Sequence, residues 1–255
     1  MNVWKRIYSW YGTVIFFAVF LLLLPIFFLT IEIPGLKRYG RKMNRIWSKL
    51  FFGLLLIRVK IENLEQLVNQ EGPFVIVSNH FSYLDIPALG LIPADLVFVG
   101  KASLGKVPLF GYMFRNLHIA VNRNSLKSRG ESMLRAKEIL DEGTSVVIFP
   151  EGGINSPEPP LLGRFKEGAF KIAQDKQIPV IPITLSYNHL ILPDDGRFLL
   201  THMTAKMVIH PPIFWNSKNP QSVTEVKERC RQVIQEQLIM DNPEVPALTT
   251  SSINE

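Results

Sequence analysis

Residues 12–31 form an uninterrupted run of twenty uncharged side chains, and that run limits what the start of this chain can become. Twenty helical residues rise about 30 Å, the thickness of a bilayer's hydrocarbon core. Lys5 and Arg6 precede the run, and Lys37, Arg38, Arg41, Lys42, Arg45 and Lys49 follow it. No small-residue cleavage site comes after it, as a secretory signal would require; the chain continues with Glu32, Pro34 and Gly35. Lys and Arg prefer the cytoplasmic surface and anionic headgroups, so both ends of the run favour the same side, and Pro25 invites a kink between them. Beyond the turn, Met43, Ile46, Trp47, Leu50, Phe51 and Leu54 recur at helical spacing among Asn44, Arg45, Ser48 and Lys49. Such a helix either lies in the membrane interface or sets its oily face on a soluble domain, and the residues do not choose. Residues 1–57 therefore read as a membrane-anchoring helical hairpin that turns near Pro34-Gly35. Its expected place is the cytoplasmic face of the cell membrane, with the phospholipid bilayer as partner.

Charge is distributed to match. The first 60 residues hold ten Lys and Arg against one acid, whereas the rest hold 18 basic and 21 acidic side chains. The basic character belongs to the anchor, which argues against a nucleic-acid-binding domain. A single cysteine, Cys230, excludes an intrachain disulfide and any cysteine-based metal cluster. It falls in a predicted C-terminal helix, where a buried thiol is the ordinary case, and a reducing cytoplasm permits it.

Past residue 57 the pattern becomes short β-branched runs, at 58–61, 74–78, 96–99, 117–121, 145–149, 180–185 and 206–210. Helical stretches at 125–141, 163–176 and 222–240 separate or follow them. Strands alternating with helices predict an α/β fold with a largely parallel or mixed central sheet flanked by helices. Inner runs such as FVIVS and SVVIF are apolar without alternation, as strands covered on both faces require. This unit spans 58–241, and a Thr/Ser/Pro-rich tail at 242–255 reads as flexible.

Ligands of parallel α/β proteins gather where the strands end. Directly after the 74–78 strand comes Ser78-Asn79-His80-Phe81-Ser82-Tyr83-Leu84-Asp85. With a helix starting near Ser82, Asp85 reaches back to the His80 imidazole, fixes its tautomer and frees the other ring nitrogen to take a proton from an alcohol. Equally, Asp85 or Ser82 caps a helix while His80 merely ends a strand. Ser82 lacks the G-x-S-x-G elbow of a nucleophile. Arg123, after the 117–121 strand, offers a guanidinium fork suited to a phosphate monoester, or is an ordinary surface arginine. Glu151, followed by Gly152-Gly153, either accepts hydrogen bonds from substrate hydroxyls or orders the turn. Lys101 adds positive field near a phosphate or is simply solvated. The histidines at 189, 202 and 210 show no metal-ligand spacing.

Asn79-His80 followed by four residues and Asp85 resembles the N-H-x-x-x-x-D signature of the glycerolipid acyltransferase family, whose best-known members are 1-acylglycerol-3-phosphate acyltransferases. Lys101, Gly105, Val107-Pro108, Gly111 and Arg123 resemble its second block, and Phe149-Pro150-Glu151-Gly152 its third. Phe165-Lys166 with Gly168-Ala169-Phe170 resembles the run that follows, and residues 178–183 (IPVIPI) the fourth block. The resemblance implies a catalytic His80/Asp85 pair and acceptor binding by Arg123, Glu151, Gly152 and Lys101. It also implies no cofactor or metal: acyl-CoA or acyl-carrier protein serves as donor substrate and a lysophospholipid as acceptor, with phosphatidic acid as product.

Two departures bear on the acceptor. Where the family commonly has Thr, Arg and Ser after Phe-Pro-Glu-Gly, this chain has Gly153, Ile154 and Asn155, so an arginine that assists phosphate recognition is absent. Arg164 or Lys166 is a candidate substitute. His118 stands where the family usually has an aliphatic or aromatic residue and reads as structural or gate-lining. Ile154 keeps open an O-acyltransferase for an amino-acid lysolipid. A scaffold that merely binds anionic lipid through the basic hairpin is the remaining reading, and it has no use for a His80/Asp85 pair.

Overall fold

In the computed structural model, residues 3–156, 158–216 and 221–244 are described. The first helix, α1, runs Val3–Glu32, and after a turn at 33–36 the second, α2, runs Lys37–Leu54. Gly35 takes a positive φ of 83° in that turn, a conformation glycine adopts without strain. The helix continues through Pro25. Then follow β1 (Val59–Glu62), α3 (Glu65–Val68), β2 (Val75–Ser78), α4 (Asp85–Leu89), β3 (Leu96–Lys101) and a 3-10 turn (Ala102–Lys106). Next come α5 (Phe110–Leu117), β4 (Ile119–Val121), α6 (Leu126–Asp141), β5 (Ser145–Ile148) and α7 (Gly168–Lys176). The chain continues with β6 (Val180–Leu185), α8 (Asn188–Ile191), β7 (Ala205–Ile209) and α9 (Val223–Asp241). Of the tail expected at 242–255, residues 245–255 lie outside those described.

The seven strands among the described residues form one sheet, in the order β1-β7-β6-β2-β5-β3-β4. β2 to β6 are mutually parallel, while β7 pairs antiparallel with β6 and carries β1 with it, so the sheet is mixed. Every residue of β2 and of β6 is buried, which is why those runs show no polar alternation. Successive side chains still point to opposite faces. Ile76, Val147 and Ile181 join one core beneath α2 and α4, while Val75, Val77, Val146 and Val180 join another beneath α6, α7 and α9. Truncating a side chain such as Ile181 to Ala costs about 2–5 kcal/mol.

Three expected elements differ in extent. The helix expected from Ser82 begins at Asp85, because the Asp85 carboxylate draws in the N–H groups of residues 81 and 82 and forms a turn first. The 117–121 strand loses its start to α5, which ends at Leu117 with His118 extended behind it. The 163–176 helix begins only at Gly168, since the N–H of Gly163 goes to Glu151 and that of Lys166 to the Pro150 carbonyl. Those two donors are claimed by the loop after β5 and cannot enter a helical ladder.

The second helix joins the domain. Phe51 and Phe52 lie in the same core as Ile76, while Ile46, Leu50 and Leu54 on its other edge stay exposed. Arg41 makes a two-pronged ion pair with Asp95 (2.6 and 2.8 Å), and Arg45 donates to the Leu91 carbonyl, so these two bind the domain instead of facing headgroups. Val19, Phe20, Leu23, Phe27 and Ile31 of α1 pack with Met113 and Leu117 of α5. On the rest of α1, Trp10, Phe17, Leu21, Leu22, Phe28 and Leu29 are exposed, a continuous apolar surface on a helix long and apolar enough to cross a membrane.

Candidate active site

Five adjacent parallel strands end at one edge of the sheet, and their exits deliver the chemistry. Taken across that edge, Asn188 follows β6, His80 follows β2, Glu151 follows β5, Lys101 ends β3 and Arg123 follows β4.

The His80 Nδ1 lies 3.0 Å from Asp85 Oδ2. That oxygen also accepts the backbone N–H groups of Phe81 and Ser82, each at 2.8 Å, and Oδ1 accepts Asn188 Nδ2 at 2.9 Å. Asp85 is wholly buried, and its four partners are all donors, which suits an acceptor-only carboxylate. Because Asp85 takes the proton-bearing Nδ1, Nε2 is left as the basic nitrogen, and it makes no hydrogen bond to any described residue. The imidazole stacks on Phe149, with centroids 4.0 Å apart and planes tilted by 16°. Asn79 ties the same loop to β6, donating to and accepting from the backbone of Leu185.

Glu151 is the buttress. Its Oε1 accepts the His80 N–H at 3.0 Å and its Oε2 the Gly163 N–H at 2.9 Å, so each oxygen is engaged by backbone. Burial pushes its carboxyl above the usual range, and the two N–H groups pull it part of the way back. Gly152 holds a φ of 80°, and a side chain there would strike Lys166. Arg123 is half-buried, and the loss of hydration lowers its pKa. With Gly152 and Lys166 it lines a cavity of about 480 Å³ between α6 and α7, whose wall includes Phe149. Lys101 is exposed and lies outside that lining. A second cavity of about 360 Å³, between the start of α1 and residues 197–199, is lined by other residues.

Other nucleophiles are occupied. Ser82 Oγ donates to the Leu192 carbonyl and accepts from the Leu84 N–H, and the Cys230 thiol is buried in α9 and pushed up to about 12. His118 is buried and desolvation lowers it to about 3; its ring bridges Asn44 of α2 and the Phe98 N–H. Among the described residues no three His, Cys, Asp or Glu side chains cluster as a metal would need. Asn188 is a site residue that the sequence motifs do not mark, and its place just after a strand end is the one signal for it.

An imidazole oriented by a buried carboxylate, beside a cavity rimmed with cations, can take a proton from a hydroxyl. The family model described as Acyltransferase matches residues 58–186, and the chain belongs to that family. It is 33% identical over 181 residues to the chloroplastic 1-acyl-sn-glycerol-3-phosphate acyltransferase BAT2 of Brassica napus, covering 69% of this chain and 52% of that protein. It is 32% identical to LPAT1 of Arabidopsis thaliana, a chloroplastic enzyme of the same description, covering 69% and 50%. The chain thus spans about half the length of these relatives. The putative 1-acyl-sn-glycerol-3-phosphate acyltransferase acl-1 of Caenorhabditis elegans is 30% identical, with 70% of this chain and 67% of that protein covered. The fold matches the crystal structure of the 1-acyl-sn-glycerophosphate acyltransferase PlsC from Thermotoga maritima, with a TM-score of 0.75 at 22% identity over 96% of this chain and 99% of that one.

Proposed function

We propose that this chain transfers an acyl group from a thioester, acyl-CoA or acyl-carrier protein, to the free hydroxyl of 1-acylglycerol-3-phosphate and so makes phosphatidic acid. The observation that carries the reading is the His80–Asp85 pair, with Nε2 unengaged at the sheet edge. As the acceptor oxygen attacks the thioester carbonyl, His80 Nε2 takes the hydroxyl proton, and the Asp85 carboxylate balances the imidazolium charge. When the tetrahedral intermediate collapses, the C–S bond breaks and the imidazolium returns the proton to the departing thiolate. Catalysis is direct, with no acyl-enzyme, because Ser82 and Cys230 are both occupied or inert. The names of the relatives in Brassica and Arabidopsis supply the acceptor, and Arg123 supplies a cation for its phosphate. Glu151 and Gly152 serve by shaping the loop beneath that cation.

In the same proposal residues 1–57 form the anchor on the cytoplasmic face and 58–241 the catalytic unit, so that acceptor enters from the bilayer. A lipid-binding scaffold would gain nothing from a wholly buried carboxylate aimed at an imidazole.

Ile154 favours a second acceptor class, an amino-acid lysolipid whose headgroup carries less negative charge. A competition assay offers the enzyme lysophosphatidic acid and amino-acid lysolipids with one acyl-CoA, and repeats it on Arg123→Ala. Preference for the phosphate acceptor that collapses in the variant supports the assignment. Exclusive use of the amino-acid lysolipid refutes it and leaves the His80 chemistry standing.

A further inference from the structure

Two cations press against the same two-residue stretch of backbone. A side chain at Gly152 would strike the Nζ, Cε and Cδ of Lys166, and one at Gly153 would meet the Nη1 of Arg123. Gly152 also needs its positive φ, but Gly153 is under no such constraint. What the bare Gly153 provides is room for the guanidinium and for the Asn155 amide beside it. Arg123 arrives from the end of β4, and Lys166 from the extended segment that the Pro150 carbonyl pins beside β5.

Neither cation has an anionic or hydrogen-bonding partner for its side chain among the described residues. The neighbouring acid, Glu167, is taken by Lys171 at 2.8 Å, and both oxygens of Glu151 are filled by backbone N–H groups. A half-buried guanidinium without an acceptor is costly, and the exposed Lys166 brings a second positive charge to the same cavity wall. An anion bound there offsets that cost. Both cations line the cavity that reaches Phe149, the ring on which His80 stacks. Arg164, the other candidate substitute, is exposed and outside that lining.

We propose that Lys166 and Arg123 together form an anion subsite over the Gly152–Gly153 backbone that takes the acceptor's phosphate monoester, the work position 154 cannot do with an isoleucine. The inference rests on the acceptor assignment above and deepens it. A phosphate monoester bears up to two negative charges and three terminal oxygens, so a forked guanidinium and a mobile ammonium suit it from two sides. The acyl donor also carries phosphate when it is acyl-CoA, so the two substrates must be varied separately.

The test uses the full chain in detergent micelles with 1-oleoyl-lysophosphatidic acid and oleoyl-CoA. Lys166→Met is expected to raise the acceptor KM about tenfold or more, the loss typical of one charge-assisted contact, with the donor KM and the thermal midpoint unchanged. Gly153→Thr, which displaces Arg123, raises the same KM. Adding Ile154→Arg to Lys166→Met brings the acceptor KM back toward that of the parent, which a merely structural lysine would not allow. An unchanged acceptor KM in Lys166→Met, or a rise confined to the donor, overturns the subsite while lysophosphatidic acid turnover by the parent keeps the function reading intact. If the parent does not acylate lysophosphatidic acid at all, both fall together.

Discussion

Replacing Asp85 by Asn separates the charge of the carboxylate proposed to assist His80 from its shape. Three donors converge on Oδ2, namely His80 Nδ1 and the N–H groups of Phe81 and Ser82, whereas Oδ1 faces only the Asn188 amide. The new carboxamide therefore puts its oxygen where Oδ2 was and its NH2 toward Asn188. Asn188 Oδ1 is buried without a partner, so that side chain can turn its amide over and accept the new donor. The hydrogen bonds survive, His80 keeps its tautomer, and the variant is expected to fold with stability within about 1 kcal/mol of the parent. What disappears is the negative charge beside the imidazolium formed during attack. At an effective dielectric near 20, two unit charges about 4 Å apart interact by about 4 kcal/mol. Full burial of Asp85 keeps water from screening that interaction. The acylation rate should fall by about 10³-fold, measured as lysolipid-dependent thiol release from acyl-CoA beside a thermal-unfolding midpoint. A fall of less than tenfold in a folded variant would show that the charge does not assist the proton transfer. Loss of rate together with a collapse in stability would mean that the carboxylate serves only to hold the loop.

His118 predicts an acid-sensitive attachment of α2. Its ring sits between the Phe98 N–H, which donates to Nδ1, and the Asn44 amide beside Nε2, and burial, aided by Arg41, lowers the pKa from 6.5 to about 3. The unfolded chain binds the proton first on acidification, so this contribution is whole above pH 6.5 and is lost as pH falls toward about 3, by up to ~1.4 kcal/mol per pH unit. Urea unfolding at a series of pH values should show a flatter acid limb in His118→Phe, and equal slopes would sink the idea. Glu151→Gln turns an NH2 toward the N–H of His80 or of Gly163, which should cost about 1–3 kcal/mol and lower kcat with little change in acceptor KM. A rise in KM alone would instead place Glu151 on the substrate. Tags before Met1 and after Glu255 should both resist external protease in intact cells, and labelling of the N-terminal tag alone would mean that α1 crosses the membrane.

Much of the architecture was legible because it is written in local periodicity. The apolar run, the breaker at Pro34-Gly35 and the continuous apolar strands each report a short-range preference, and each appears within a residue or two of its expected place. The exceptions are instructive. Residues 163–167 have the composition of a helix start, but Gly163 and Lys166 give their N–H groups to Glu151 and Pro150, so a distant loop outbids the local ladder. Arg41 and Arg45 look like headgroup-facing cations until Asp95 and the Leu91 carbonyl, far along the chain, claim them.

The candidate site divides along the same line. The sequence by itself determined that a His80–Asp85 contact is possible, because four intervening residues in a single turn bring imidazole and carboxylate within reach, but it left a helix cap as an equal alternative. It also determined that Glu151 and Arg123 follow strands. Only the tertiary structure decided that Glu151 would support the backbone of a residue 71 positions away, and that Asn188, 103 positions from Asp85, would supply the fourth donor to that carboxylate. Only it decided that Lys166, and neither Lys101 nor Arg164, would line the same cavity as Arg123. Spacing along a chain encodes what a single turn can bring together. Which strand ends become neighbours depends on the order β6-β2-β5-β3-β4, a property of crossovers and of packing on both faces of the sheet.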